Sequence, residues 1–104
     1  MLHTITDREF DRVVESSMVP VLVAFWKPGC GHCRVLMKEL ERLQEDMVSS
    51  LLVFTMNAEE NFQIPAELDI TSLPALALYR HGEFVRFVGG IGTWEEIARQ
   101  IRNV

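Results

Sequence analysis

The chain has 104 residues, of which 48% are hydrophobic, and a formal net charge of -5 at pH 7. This length suits a compact unit with a buried core, and we predict a single domain over residues 1–104. The acidic balance argues against nucleic acid as a partner, because nucleic acids are bound by clustered Lys and Arg. No apolar run approaches the roughly 20 residues of a membrane-spanning helix, so we expect no membrane segment.

The first part of the chain predicts a helix followed by a central strand. Met1 leads directly into polar residues, so we expect no signal peptide and a cytoplasmic protein, where permanent disulfides are uncommon. A short strand over residues 2–5 is compatible with the pattern, and the spacing of Thr6 and Glu9 predicts a capping box that opens a helix. Pro20 ends this helix. The unbroken apolar run Val21–Trp26 predicts a strand covered on both faces.

The rest of the chain alternates between helical and strand patterns. The predicted elements are a helix, a strand, a short helix, two strands and a last helix, over residues 34–47, 51–56, 65–68, 75–79, 84–88 and from 93 onward. His81 and Gly82 form a tight turn, so the two strands beside them are antiparallel. This order predicts an α/β fold with a mixed sheet of four or five strands and helices on both faces.

The segment Cys30-Gly31-His32-Cys33 carries the candidate chemistry, and its two cysteines are the only ones in the chain. It follows the apolar strand and opens the next helix. Two thiols at this spacing can close a small disulfide ring, and the helix N-terminus stabilises a thiolate on Cys30. A C-x-x-C between a strand and a helix therefore predicts a redox site at the carboxyl end of a central strand.

With these residues in view, the chain resembles the thioredoxin family over nearly its whole length. The resemblance is carried by segments in family order and spacing, namely residues 25–26, 30–33, 73–75, 79–83 and 89–90. It implies the thioredoxin fold, with a cis peptide bond before Pro74. It also implies a groove, lined by Leu73, Pro74 and Gly90, that binds an extended stretch of substrate backbone.

The resemblance implies a thiol–disulfide oxidoreductase that acts as a protein-disulfide reductase in cell redox homeostasis. The Cys30 thiolate attacks a protein disulfide, and the more buried Cys33 resolves the mixed disulfide in a reversible exchange. The implied partners are protein disulfides and a thioredoxin-reductase-like electron donor, and the family favours a monomer. The Cys30–Cys33 disulfide is the only redox group implied, and no cofactor or metal is expected.

Residues around the cysteines depart from the family pattern. His32 stands where most thioredoxins carry proline and protein disulfide isomerases carry histidine. Together with Gly31 and Trp26, we expect His32 to tune the site. A partly protonated imidazole favours the Cys30 thiolate and makes the disulfide more oxidising than that of a typical thioredoxin. Gly29 replaces the family's tryptophan before the first cysteine, so we expect Cys30 to be more exposed.

Two further departures lie in the predicted strands. Ala24 replaces the buried carboxylate that assists proton transfer at the second cysteine in the family. Thr55 replaces the lysine that accompanies this carboxylate. General-base assistance to Cys33 is therefore expected to be missing, which predicts that the mixed disulfide is released slowly or that water carries the proton.

Two other functions stay open at this point. The chain could be a thioredoxin-fold module that binds a partner without general reductase activity. It could also bind a metal through Cys30 and Cys33 across a dimer, since one chain supplies only two thiolates and structural zinc takes four ligands. Reduction of insulin separates the enzyme from both, and metal analysis of fresh protein identifies the metal-binding module.

Overall fold

A five-stranded mixed sheet with four helices forms the molecule in the computed structural model, which describes residues 2–89 and 92–102. In chain order the elements are β1 (His3–Thr4), α1 (Asp7–Ser16), β2 (Val21–Trp26), α2 (Gly31–Asp46), β3 (Leu52–Asn57), α3 (Gln63–Glu67), β4 (Ala75–Arg80), β5 (Glu83–Val88) and α4 (Trp94–Ile101). The strand order is β1-β3-β2-β4-β5. The predicted α/β thioredoxin fold is confirmed, including its first short strand. None of the helices described here is long and apolar enough to cross a membrane.

Strand β2 lies at the centre of the sheet and is buried on both faces. It runs parallel to β3 and antiparallel to β4, and Val21 to Phe25 are each at most 1% exposed. Helices α2 and α4 cover one face, where the leucines of α2 pack against Ile97 and Ile101. Helices α1 and α3 cover the other face through Phe10, Val14 and Ile64. The absence of alternation in β2 follows from this double cover.

The β4–β5 hairpin carries the turn that the sequence predicts. His81 and Gly82 have φ angles of 55° and 81°. Two successive positive φ angles are typical of tight hairpin turns, and glycine adopts them without steric cost. A side chain at Gly82 would also place its Cβ 3.0 Å from Cγ of Glu15. On its other edge β4 pairs with β2, with Ala75 opposite Phe25.

Side-chain hydrogen bonds cap the N-termini of α1 and α4. The Thr6 backbone N–H donates to Glu9 Oε1 at 3.0 Å, as the predicted capping box requires. At α4 the Thr93 hydroxyl accepts from the Glu96 N–H at 3.4 Å, while the Glu96 carboxylate lies against Gly92.

Helix α3 begins two residues before the predicted 65–68 segment. The carboxylate of Asp7, at the start of α1, accepts hydrogen bonds from the backbone N–H groups of Gln63 at 3.0 Å and Ile64 at 2.9 Å. This cap comes from a distant part of the chain, so the local pattern around α3 could not reveal it.

Candidate functional site

The dithiol lies at the junction between the end of β2 and the start of α2. Strand β2 ends at Trp26, and Gly29, at a φ of 80°, turns the chain so that Cys30 becomes the N-cap of α2. Cys30 and Cys33 form a disulfide with their Cα atoms 5.2 Å apart. The predicted pair is therefore brought together on the first turn of the helix, at the carboxyl end of the central strand.

The two sulfurs have different surroundings. Cys33 is only 2% exposed and packs into the core, whereas Cys30 is half-buried. The backbone N–H of Cys33 donates to Sγ of Cys30 at 3.2 Å. At Gly29, where the family carries tryptophan, a Cβ would meet nothing within 4 Å. Cys30 is thus the more exposed of the two cysteines.

The segment before β4 lies at the end of the sheet that carries the dithiol. The Leu73–Pro74 peptide bond is cis, as the resemblance predicts, and both residues are half-buried. Because β4 runs antiparallel to β2 and Ala75 pairs with Phe25, Pro74 lies at the same end of the sheet as Trp26. Gly90, the third residue of the predicted groove, lies outside the described residues.

A cavity of about 250 Å³ opens on the side of the loop before Cys30. Both cysteines line it, together with Trp26, Lys27 and Arg34. The Trp26 indole N–H is buried and has no hydrogen-bond partner in the described part of the chain. Trp26 thus lies at the wall of this cavity, and the cations Lys27 and Arg34 lie on the same side of the dithiol.

The other two predicted tuning residues, Gly31 and His32, occupy the first turn of α2 and are exposed. His32 lines a second cavity, of about 380 Å³, between α2 and the start of α4. Glu39 and Glu96 line the same cavity. Neither carboxylate was predicted from the sequence to lie near the dithiol, although His32 and Glu39 are seven residues apart and so share a helix face.

Beneath the dithiol the sheet is apolar. Ala24 is fully buried and lies between Thr55 of β3 and Leu76 of β4 in the strand register. The hydroxyl of Thr55 forms a hydrogen bond with the hydroxyl of Thr4 in β1, at 3.1 Å. Over residues 2–89 and 92–102, no charged side chain is buried, and apart from the core residues the buried polar side chains are Thr55 and Asn61, so no buried charge accompanies Ala24.

The side chains that commonly bind metals are scattered in the described part of the chain. Within the described ranges, no three side chains of His, Cys, Asp or Glu are grouped so that they could hold a metal ion. His32 lies between the two cysteines in sequence, but the cysteine sulfurs are joined to each other in the disulfide. The site as described presents a disulfide rather than a set of free thiolate ligands.

Comparison with known proteins agrees with this geometry. The thioredoxin family profile matches residues 1–103. This chain belongs to the thioredoxin family. Similar relatives include the thioredoxin of Rickettsia bellii, which is 39% identical over 83 residues, 80% of this chain and 79% of the relative. Another is the thioredoxin of Haemophilus influenzae, 34% identical over 85 residues, 82% of this chain and 78% of the relative.

A third thioredoxin, from Pyropia yezoensis, is 38% identical over 86 residues, 83% of this chain and 80% of the relative. Family membership and the Cys30–Cys33 disulfide together make this thioredoxin-family protein a thiol–disulfide oxidoreductase. The family implies protein disulfides as substrates and a reductase as electron donor. Its members need no cofactor besides the cysteine pair.

Proposed function

We propose that Cys30 is the attacking thiol and Cys33 the resolving thiol. In the reduced protein, the Cys30 thiolate attacks one sulfur of a substrate disulfide, and the other sulfur leaves as a thiolate that takes up a proton. Cys33 then loses its proton and attacks Sγ of Cys30, which releases the second substrate sulfur. Two electrons pass to the substrate, and the Cys30–Cys33 disulfide is formed.

The observation that carries this assignment is the unequal setting of the two sulfurs. Cys30 is the half-buried one, so a substrate can reach it, whereas Cys33 is 2% exposed. The Cys33 N–H already points at Sγ of Cys30, at 3.2 Å. When Cys30 becomes a thiolate, the same N–H donates to a charged acceptor, and hydrogen bonds to charged groups are about twice as strong.

The finer proposal is that this disulfide is more oxidising than that of a proline-bearing thioredoxin. His32 follows Cys30 by two residues, and Lys27 and Arg34 line the cavity that both cysteines share. Positive charge at these positions favours the thiolate and hence the reduced form. Each increment of about 1.4 kcal/mol in favour of the reduced form raises the potential by roughly 30 mV.

The substrate is proposed to bind beside the cis peptide. Leu73 and Pro74 are half-buried at the end of the sheet that carries the dithiol, which leaves part of their surface free. We assign them, with Gly90, to an extended segment of substrate backbone. A thioredoxin-reductase-like protein would supply electrons to the same face. We further propose that residues 1–104 form a single domain and that the protein acts as a monomer in the cytoplasm.

The role of each cysteine is tested by trapping. Cys33→Ser should accumulate a mixed disulfide between Cys30 and a protein substrate such as insulin, because the resolving thiol is missing. Cys30→Ser should accumulate none. Mass spectrometry of the alkylated protein identifies the adduct. An adduct on Cys33 in the Cys30→Ser variant would reverse the assignment.

The redox poise is tested in graded glutathione buffers, by counting alkylated thiols by mass. We expect a potential above the roughly -270 mV of thioredoxin, and a lower value for His32→Pro. His81→Asn is the matched control, because His81 is also exposed but lies in the hairpin turn. A potential that His32→Pro leaves unchanged would refute the role of His32.

A further inference from the structure

The cavity between α2 and α4 has a composition that the reaction itself does not need. We call it the α2–α4 cavity; its walls include His32, Val35, Leu36 and Glu39 of α2 and Gly92 and Glu96 near the start of α4. Its volume is about 380 Å³. Leu36 is 1% exposed and closes the bottom, whereas Val35 is 67% exposed and forms a side. The cavity is therefore an apolar slot that is open to solvent.

Two carboxylates stand at this slot, and both are held by the start of α4. Glu39 Oε1 accepts from the backbone N–H of Trp94 at 2.9 Å, which leaves its second oxygen available. Glu96 lies against Gly92, where a Cβ would come within 2.5 Å of Glu96 Oε2. Glycine at this position leaves room for the carboxylate. The nearby cation Arg42 lies over the Trp94 ring instead, 5.7 Å from the ring centroid.

The slot begins next to the dithiol, at His32. His32 belongs to the Cys30–Cys33 turn, and Glu39 lies seven residues further along α2, a rise of about 10 Å. An extended substrate advances about 3.3 Å per residue. A side chain two to four residues from the reacting cysteine would therefore reach the carboxylates, with its methylene groups against Val35 and Leu36.

We propose that the α2–α4 cavity is a subsite for a basic side chain, Arg or Lys, of the substrate polypeptide. An apolar stem ending in a cation matches an apolar slot ending in two carboxylates. The opposite side of the dithiol carries Lys27 and Arg34, which disfavour a cation there. On the α2–α4 side two carboxylates outweigh one histidine, whereas the other side is basic. A substrate with one basic residue is therefore oriented by the difference in charge between the two sides of the dithiol. The proposal rests on the proposed attack by Cys30.

Peptides with one cysteine, activated as a mixed disulfide with thionitrobenzoate, provide the test. In matched peptides Arg, Leu or Glu is placed at each of the positions up to four residues before and after the cysteine. Release of the chromophore by the reduced protein gives a rate constant for each peptide. An exposed ion pair changes an equilibrium by up to about fivefold. We expect the Arg peptide to react about fivefold faster than the Leu peptide at one or two positions, and the Glu peptide to react more slowly.

Charge variants identify the groups involved. In the double variant Glu39→Gln with Glu96→Gln, the ratio of the Arg-peptide rate to the Leu-peptide rate should fall to about one. High salt should lower the same ratio in the wild type, because it screens the ion pair. Glu41→Gln with Glu45→Gln is the matched control, because these exposed residues of α2 change the net charge equally. In this control the Arg-to-Leu ratio should keep its wild-type value. Far-ultraviolet circular dichroism and disulfide formation verify the fold of each variant.

The outcomes separate this proposal from the function on which it rests. An Arg-to-Leu ratio of one at every position in the wild type, while the Leu peptides react, overturns the subsite alone. A ratio that persists in the Glu39 and Glu96 double variant also overturns it. If the wild type reacts with no peptide, the proposed attack by Cys30 is wrong, and the subsite falls with it.

Discussion

Restoring a carboxyl group beneath the dithiol, by Ala24→Asp, should make the protein less stable and faster at the same time. Ala24 is fully buried between Thr55 and Leu76 in the sheet, so an added carboxyl would be shielded from water. Burial disfavours the charged form of a carboxyl and raises its pKa, by up to 3–5 units for full burial. No buried charge stands nearby in the described chain to offset this.

The loss in the free energy of unfolding caused by Ala24→Asp follows from proton linkage. Below about pH 4 the introduced carboxyl is neutral in both the folded and the unfolded chain, and the cost is that of burying a polar group, about 1–3 kcal/mol. As the pH rises, the unfolded chain releases a proton that the folded chain retains. The free energy of unfolding then falls by about 1.4 kcal/mol per pH unit until the raised pKa is reached. A shift of about 3 units adds about 4 kcal/mol of destabilisation near pH 7.

Urea unfolding of the oxidised protein between pH 4 and pH 8 measures this effect. Ala24→Asn is the control, because it has nearly the same shape but does not titrate. We expect the difference between the two variants to grow with pH. In the reduced protein, the introduced carboxylate should accept the proton of Cys33 and accelerate release of the Cys30 mixed disulfide. A pH-independent difference would show that water reaches position 24, and equal or slower release would refute the missing-base account.

Three other outcomes follow from the packing. Burial of Tyr79, with smaller effects of Glu67 and Asp11, raises its pKa to about 12 from 10.0. The stabilisation from the neutral phenol is therefore complete below pH 10.0 and is lost as the pH rises through about 12. Ultraviolet titration of this single tyrosine checks the midpoint, with the urea-unfolded chain as control; a folded midpoint near 10 would contradict the burial effect. Leu40→Ala, at a fully buried position, should lower the free energy of unfolding in urea by about 2–5 kcal/mol. The control Val48→Ala, at an exposed position, should lower it by about 0.5 kcal/mol or less. Equal losses in the two variants would contradict the assigned core. Asp7→Ala removes the distant cap of α3 and should cost about 1–2 kcal/mol, whereas Asp7→Asn should retain most of it; no loss for Asp7→Ala would show that water replaces the cap.

Most of the fold could be read from local pattern. The unbroken apolar run of β2 predicts its place at the centre of the sheet, and the His81–Gly82 turn predicts an antiparallel hairpin. What could not be read depends on partners distant in sequence. The start of α3 is set by Asp7, 56 and 57 residues away. The pairing of the Thr4 and Thr55 hydroxyls, 51 residues apart, likewise needs the sheet to be assembled.

The site divides in the same way. The dithiol was readable because Cys30 and Cys33 are close in sequence and sit between a strand pattern and a helix pattern. The α2–α4 cavity could not be predicted in this way, although the apolar face of each helix could be recognised in the sequence. Which face of α4 meets α2 depends on the packing of Ile97 and Ile101 against the sheet. The hydrogen bond from Trp94 to Glu39 spans 55 residues and exists only after that packing.

The departures around the dithiol act together on the route of the Cys33 proton. In the described chain no buried carboxylate accompanies Ala24, so the sheet supplies no general base for this proton. Cys33 is 2% exposed, which limits direct contact with bulk water. The cavity of about 250 Å³ that Cys33 lines, together with Lys27 and Arg34, offers a route to solvent instead. We therefore expect water in this cavity, rather than a side chain of the sheet, to accept the Cys33 proton, and release of the mixed disulfide to be slower than in a variant with a carboxyl at position 24.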